Sequence, residues 1–438
     1  MKVLKFGGTS MGSAQRIREV AAIAGASGKS LVVVSAMAGT TNTLVEIAGY
    51  LYNKNREGAR DTISSLRKKY LLVIEDLYDS NESKEKARAY IQEVFGFITS
   101  LTKELFGSVQ ERLILAQGEL LSSFLLATYW EELGVNVKLL PALSFMKIDA
   151  QGEPDADSIR TSLQKLLEEN AEADIYLTQG FICMNARGEV DNLKRGGSDY
   201  TACLVGAAIP AEEIQIWTDI DGLHDNDPRF VEGTSAVRHL HFEEAAELAY
   251  FGAKILHPTC ILPARYANIP VRLLNTMDPA APGTLIDNVP DTGSIKAVAA
   301  KDNITAIKIK SSRMLLAHGF LRKVFEIFES YRTSIDMICT SEVGVSLTID
   351  DTRFLNEIVH DLKKYGTVSV DLDMCIICVV GDMDWGNRGF ESRVMAALKD
   401  VPVRMVSYGG SNYNISILVR EEDKAATLKS LSSKLFGK

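Results

Sequence analysis

Val3-Leu4-Lys5-Phe6-Gly7-Gly8-Thr9-Ser10 decides how this chain is read. A short apolar strand runs straight into a turn holding a lysine, two glycines and two hydroxyls, and a helical pattern follows. Glycines let backbone N–H groups approach an anion closely, a helix N-terminus adds partial positive charge, and Lys5 supplies a mobile full charge. This is chemistry suited to phosphate. A second island, Leu193-Lys194-Arg195-Gly196-Gly197-Ser198-Asp199-Tyr200-Thr201-Ala202, also ends a loop and enters an apolar helix that continues to Ala208. Arg195 offers a two-pronged fork for a carboxylate or phosphate, and Asp199 can cap the helix or orient a lysine. Two such turns in one chain point to one shared site.

The bounds are those of an ordinary globular protein. At 438 residues the chain is too long for one core and predicts roughly two to four domains. A net charge of −9 argues against nucleic acid and anionic membranes as partners, so an anionic ligand must be drawn by local groups such as Lys5, Arg195, Arg229 and Lys254. The first residues lack the apolar core of a signal peptide, and no uncharged apolar run approaches the ~18 residues that span a bilayer. Six scattered cysteines in apolar stretches fit reduced thiols, and a cytoplasmic location is expected. Cys375 and Cys378 form a C-x-x-C, but residues three apart on a strand point to opposite faces, which disfavours a shared metal or disulfide.

Strand-like runs alternate with helical patterns through the first 290 residues: Val3 to Phe6, Ser30 to Ser35, Asn136 to Pro141, Asp174 to Ile182, Ile214 to Thr218 and Pro270 to Leu274. Such alternation predicts an α/β fold with a mainly parallel sheet covered on both faces. Residues 55–106 read as a helical excursion without chemistry. After about Pro290 the pattern changes to two successive βαββα runs. In the first, strands at Ile304 to Ile309, Ser334 to Cys339 and Val343 to Ile349 flank helices at Gly319 to Ser330 and Arg353 to Lys364. In the second, strands at Cys375 to Val380, Val403 to Ser407 and Ile415 to Val419 flank helices at Arg388 to Leu398 and Glu421 to Leu435. The copies echo each other, as Ile335-Asp336-Met337-Ile338 does Val403-Arg404-Met405-Val406. A tandem of small α+β ferredoxin-like units resembles paired ACT domains, the amino-acid-sensing modules of biosynthetic enzymes.

The opening turn, the Arg-Gly-Gly-Ser-Asp turn and Phe251-Gly252-Ala253-Lys254-Ile255-Leu256-His257-Pro258 together resemble an aspartokinase, and the resemblance spans nearly the whole chain. It implies a three-layer amino-acid-kinase sandwich over residues 1–290. Two ACT modules would follow at 301–370 and 371–438, the second completed by a strand near 297–310. It implies transfer of the ATP γ-phosphoryl group to the side-chain carboxylate of L-aspartate, giving 4-phospho-L-aspartate and ADP, the first step toward lysine, threonine and methionine. The nucleophile is already an anion at neutral pH, so positioning and charge neutralisation are what remain for the protein. In the resemblance Lys5, Asp199 and Lys254 are catalytic, and Asp199 orients the lysines. Ser35, Thr41, Glu119, Phe181, Arg195 and Ser198 hold aspartate, Glu119 taking its ammonium. Gly7, Gly8, Thr218, Asp219 and Arg229 join Lys5 and Lys254 around ATP, with Gly196 and Gly197 as further backbone donors. Mg²⁺ is expected on the phosphate oxygens with most of its waters, without a dedicated protein cage.

A feedback effector, lysine first, is expected at Met314, Gly319, Phe320, Leu321, Asp336, Thr340 and Ser341. Asp336 would meet the effector's ammonium and the helix opened by Gly319 its carboxylate. Leu316 and Ala317 depart from the histidine and serine common in lysine-sensitive relatives. Lys194 stands where a glycine is common, and His224 where a tyrosine is common. The chain ends at Lys438 after the second module, so a monofunctional enzyme is expected, and a homodimer through the ACT modules. Two other readings stay open: another amino-acid kinase, or a non-catalytic ACT-based amino-acid sensor.

Overall fold

A computed structural model describes residues 1–193, 196–252, 257–311 and 318–437. The chain divides into two compact units, one of residues 1–223 and 256–288 and the other of 224–255 and 289–438.

The first unit is an α/β sandwich. In chain order it contains β1 (Lys2–Phe6), α1 (Ala14–Ala26), β2 (Ser30–Val34), α2 (Thr40–Tyr52), α3 (Arg56–Leu77), α4 (Asn81–Leu101), α5 (Ser108–Glu132) and β3 (Val137–Leu139). Then come α6 (Ala156–Glu169), β4 (Ile175–Gln179), the hairpin β5 (Ile182–Met184) and β6 (Val190–Asn192), α7 (Gly197–Ala208), β7 (Ile214–Thr218), β8 (Val271–Asn275) and β9 (Thr284–Asp287). Seven strands lie in the order β3-β4-β2-β1-β7-β8-β9, all parallel except the last pair. β2 and β4 are buried along their whole length, as expected of a parallel sheet covered on both faces. Leu4, Phe6, Val32, Val34 and Leu177 are fully buried in the larger core, each contributing about 1.5–3 kcal/mol by leaving water. The excursion after β2 is a pair of long helices, α3 and α4, capped by Asn55 and Ser80. α5 is long and apolar enough to cross a membrane by composition alone, yet it is largely buried in this core and carries the buried Gln117, Glu119, Ser122 and Ser123.

The second unit holds α8 (Phe242–Tyr250) and a six-stranded antiparallel sheet. Its elements are β10 (Ile295–Lys310), α9 (Phe320–Ser330), β11 (Ile338–Ser341), β12 (Gly344–Ile349), α10 (Leu355–Leu362), β13 (Thr367–Gly381), α11 (Phe390–Ala397), β14 (Met405–Ser407), β15 (Asn414–Arg420) and α12 (Lys424–Phe436). The strand order is β11-β12-β10-β13-β15-β14. β10 matches the strand implied near 297–310, whereas β13 is far longer than the Cys375 to Val380 run predicts; both strands run through both ferredoxin-like halves. The first parts of β10 and last parts of β13 pair beside β15, whereas their other ends pair beside β12. Each half has its own core, one centred on Ile307, Phe328 and Leu347, the other on Ile377, Val394 and Leu428. The Cys339 thiol donates to the Val406 carbonyl at 3.1 Å, bringing the two edge strands together. The strand expected over 334–339 begins instead at Ile338. Upstream of it the Thr348 hydroxyl accepts from the Met337 N–H, so the regular ladder starts later, although Asp336 and Met337 still exchange backbone bonds with Thr348.

Candidate active site

The register of the parallel sheet assembles the site. Phe6 is level with Val34 and with Trp217, and Val34 with Gln179, so the carboxyl ends of β1, β2, β4 and β7 share one edge. Ligands of open α/β sheets bind at such an edge. From it emerge Gly7-Gly8, Ser35 to Thr41, Gly180-Phe181 and Thr218-Asp219. A cavity of about 310 Å³ there is lined by Gly8, Ser35, Thr41, Glu119, Phe181, Gly197 and Ser198, with residues 36–39 and Asn42. Packing leaves little room for side chains on three of these glycines. A Cβ on Gly8 would lie 3.0 Å from the Ala36 carbonyl, one on Gly180 2.4 Å from Ser198 Oγ, and one on Gly197 2.4 Å from the Phe181 ring.

Lys5, the fourth residue of β1, is nearly buried, and its Nζ lies 2.7 Å from Asp199 Oδ1 in the first turn of α7. Thus the two glycine turns, 190 residues apart in sequence, meet through one ion pair. Gly196 precedes α7 with φ +69, a conformation only glycine adopts cheaply, and so aims the helix N-terminus.

Glu119 projects from α5. Its Oε1 accepts from the Ala36 N–H at 3.2 Å, while Oε2 is buried without a hydrogen-bond partner. Burial pushes its carboxyl up to about 7, and the bond from Ala36 only partly offsets this. Ser122 Oγ donates to the Ser35 carbonyl at 2.7 Å, holding the same loop one turn further along α5. Phe181 sits in the left-handed region at φ +66, its N–H donating to Thr201 Oγ1 and its carbonyl accepting from Leu193. A non-glycine residue held there is a strain tolerated where the surroundings fix it. Thr218 ends β7, its hydroxyl donating to Asp219.

Among the other expected residues, Arg195, Lys254 and Met314 fall outside the described residues, as do Lys194, Leu316 and Ala317. Arg229 belongs to the second unit, where its exposed guanidinium forks onto Asp227. His224 Nδ1 lies 2.9 Å from Thr234 Oγ1 in that unit. Also there, Gly319 at φ +81 starts α9, with Phe320 in the core and Leu321 outside, and Thr340 and Ser341 lie exposed on β11. The Asp336 side chain is 1% exposed, and its Oδ1 accepts from Lys301 Nζ at 2.7 Å and from the Tyr250 hydroxyl at 2.9 Å. Lys301 also reaches Asp350 at 2.9 Å, and burial is the main cause of an upward shift of the Asp336 carboxyl.

Sequence reasoning missed Thr201 and Thr276. Thr276 bonds both Ser10 Oγ at 2.6 Å and the Thr218 carbonyl at 2.8 Å, tying the first turn to the end of β7. Thr201 sits in the second glycine island but faces the Phe181 backbone, a contact its sequence neighbours do not announce, and Thr276 stands in no distinctive motif.

Residues 1–275 match the amino acid kinase family, and residues 377–435 match the ACT domain. The chain is 34% identical over 459 residues to aspartokinase 3, chloroplastic, of Arabidopsis thaliana, which covers 99% of this chain and 81% of that relative. It is 32% identical over 447 residues to lysine-sensitive aspartokinase 3 of Escherichia coli (strain K12), covering 99% of both. The solved structure of E. coli aspartokinase III in complex with aspartate and ADP, in the R-state, matches with a TM-score of 0.84 at 31% identity over 100% of each chain.

Proposed function

Since the chain belongs to the aspartokinases, phosphotransferases of the amino acid kinase family with a carboxyl group as acceptor, we infer that it moves the ATP γ-phosphoryl group onto the side-chain carboxylate of L-aspartate. The observation that carries this reading is a cavity that holds a buried, singly bonded glutamate and is lined by residues of both glycine turns, which the Lys5–Asp199 pair joins. Glu119 presents an acceptor oxygen for the aspartate ammonium, and Ser35, Thr41 and Ser198 offer hydroxyls for its carboxylates. Arg195 adds a fork for a carboxylate, and Phe181 shapes the wall.

The acceptor carboxylate needs no base. Catalysis then rests on holding it in line and offsetting the charge that moves to the leaving group. Asp199 fixes the Lys5 ammonium in one place, so the cation is positioned before phosphate arrives and little reorganisation is needed. Backbone N–H groups of Gly8, Gly196 and Gly197 and the N-terminus of α7 extend the positive field, whereas the Gly7 N–H, expected to join them, is already given to the Trp217 carbonyl at 3.2 Å. Thr218 and Asp219, at the carboxyl end of β7, add nucleotide contacts. Mg²⁺ suits this arrangement as a companion of the nucleotide, held by phosphate oxygens, since Asp199 is committed to Lys5; it would neutralise phosphate charge.

Residues 1–290 carry this chemistry, and 301–370 with 371–438 form the regulatory ACT modules. Lysine is the first candidate effector, at Asp336, where its ammonium must exchange with that of Lys301. A homodimer in the cytoplasm completes the proposal, and six free cysteines fit a reducing compartment. The test is coupled ADP release with ATP–Mg²⁺ and L-aspartate, L-glutamate or no acceptor. Release with aspartate alone is expected; release with glutamate, or none with either, would overturn the assignment.

A further inference from the structure

The helical excursion between β2 and α5 reaches the candidate cavity. Two consecutive residues of α3 touch the loop that lines it. Tyr70 is fully buried, and its hydroxyl lies 3.0 Å from Oγ1 of the equally buried Thr40, the first residue of α2. Lys69, on the exposed side, donates from Nζ to the Ala38 carbonyl at 2.7 Å. Between these anchor points lies Gly39 at φ +80, the turn that lets the loop pass into α2. α5 holds the same loop from the other side through Glu119 to Ala36 and Ser122 to Ser35.

We propose that α3 is a brace for the substrate loop, with Tyr70 and Lys69 as positioning residues that set aspartate affinity. This rests on the reading of the cavity as the aspartate site. A buried phenol has many ways to pack but few partners for its hydroxyl, so the bond to Thr40 fixes the start of α2 in register with α3. Lys69 closes the last loop carbonyl before Gly39 and brings a positive charge to the rim of a site for a doubly carboxylated substrate. Because Ser35 and Thr41 lie at the two ends of this loop, loosening it misplaces aspartate contacts. The Lys5–Asp199 pair is carried by other elements and keeps its place.

The experiment is steady-state kinetics of the full chain carrying Tyr70→Phe, Lys69→Gln or Lys69→Arg, with aspartate and ATP varied separately and melting temperature recorded. Tyr70→Phe keeps the ring and removes only the hydroxyl, and Lys69 is on the surface, so at least one variant remains folded. The expected result is an aspartate KM raised five- to thirtyfold in Tyr70→Phe and Lys69→Gln, with kcat and ATP KM within twofold. Lys69→Arg should restore most of the loss. Unchanged aspartate KM in both variants, or a parallel rise in ATP KM, overturns the brace while leaving a working wild type. A wild type that releases no ADP with aspartate overturns the functional reading and the brace with it.

Discussion

In the role proposed for it, holding the aspartate ammonium, Glu119 would tie pH to substrate binding. Its carboxyl, raised by burial to about 7, is largely protonated at pH 6, yet the aspartate ammonium requires the anion. Apparent affinity falls by the fraction of sites in the competent form, which is about 0.1 at pH 6 and about 0.9 at pH 8. The aspartate KM should therefore drop about tenfold between these values, with its midpoint near 7, while ATP KM stays flat. In the ternary complex the bound ammonium holds the carboxylate ionised, so kcat should vary far less than KM. Glu119→Gln removes the titration, so its aspartate KM should be high and level across the range. Folding is linked to the same proton. The folded protein keeps it up to about 7 whereas the unfolded chain releases it near 4.5, so the native state binds more protons in between. Stability contributed by this group consequently falls as pH rises across that window, by about 3 kcal/mol in total. Above pH 7 the Gln variant should melt higher than wild type. The assay is ADP release at fixed ionic strength from pH 6 to 8, with thermal melts in the same buffers. An aspartate KM constant within twofold, or the same slope in Glu119→Gln, would refute the reasoning.

Lys5→Ala should lower kcat by a hundredfold or more with little change in aspartate KM, since one preorganised charge-stabilising donor contributes about 3–4 kcal/mol at the transition state. A folded variant within threefold of wild-type kcat would remove Lys5 from the mechanism. Arg195→Lys should raise aspartate KM, because a point charge cannot reproduce a planar fork; a rise in ATP KM alone would move Arg195 to the nucleotide. Asp336→Ala should abolish lysine inhibition in titrations of lysine, threonine and methionine. Unchanged inhibition in the variant, or no response to any of the three in wild type, would leave the ACT modules without an effector at Asp336.

What the sequence makes legible is local and periodic. Alternating elements predicted the parallel sheet, and the turns at Gly7-Gly8 and Gly196-Gly197 marked the edge where the cavity opens, because their glycines answer to backbone geometry. The strand near 297–310 was implied by the resemblance, but the length of β13 was hidden, since the periodic run reads as strand only from Cys375. In the fold the two strands pass through Asn303 at φ +59 and Asp373 at φ +55, with register shifts that let pairing resume. Tyr70 and Lys69 were equally invisible. On an amphipathic helix a tyrosine in the apolar stripe reads as core and its neighbouring lysine as solvated surface. Only the docking of α3 on the loop after β2 reveals what their polar ends hold. Phe181 was named from resemblance, but its left-handed backbone has no signature in composition.

The two strands common to both ferredoxin-like halves have a consequence for how this part of the chain comes apart. Residues 295–301 are paired to 376–381, and residues 304–310 to 367–374, so one continuous backbone lattice crosses the boundary between the halves. Unfolding of one half therefore pulls on backbone that is continuous with the other half's ladder. The amides of both halves should exchange with solvent in a single slow, cooperative class rather than as two independent foldons. A chain truncated after Gly366 would leave the whole of β10 without its β13 partner and expose Ala297-Val298-Ala299-Ala300 as an open apolar edge, a template for aggregation.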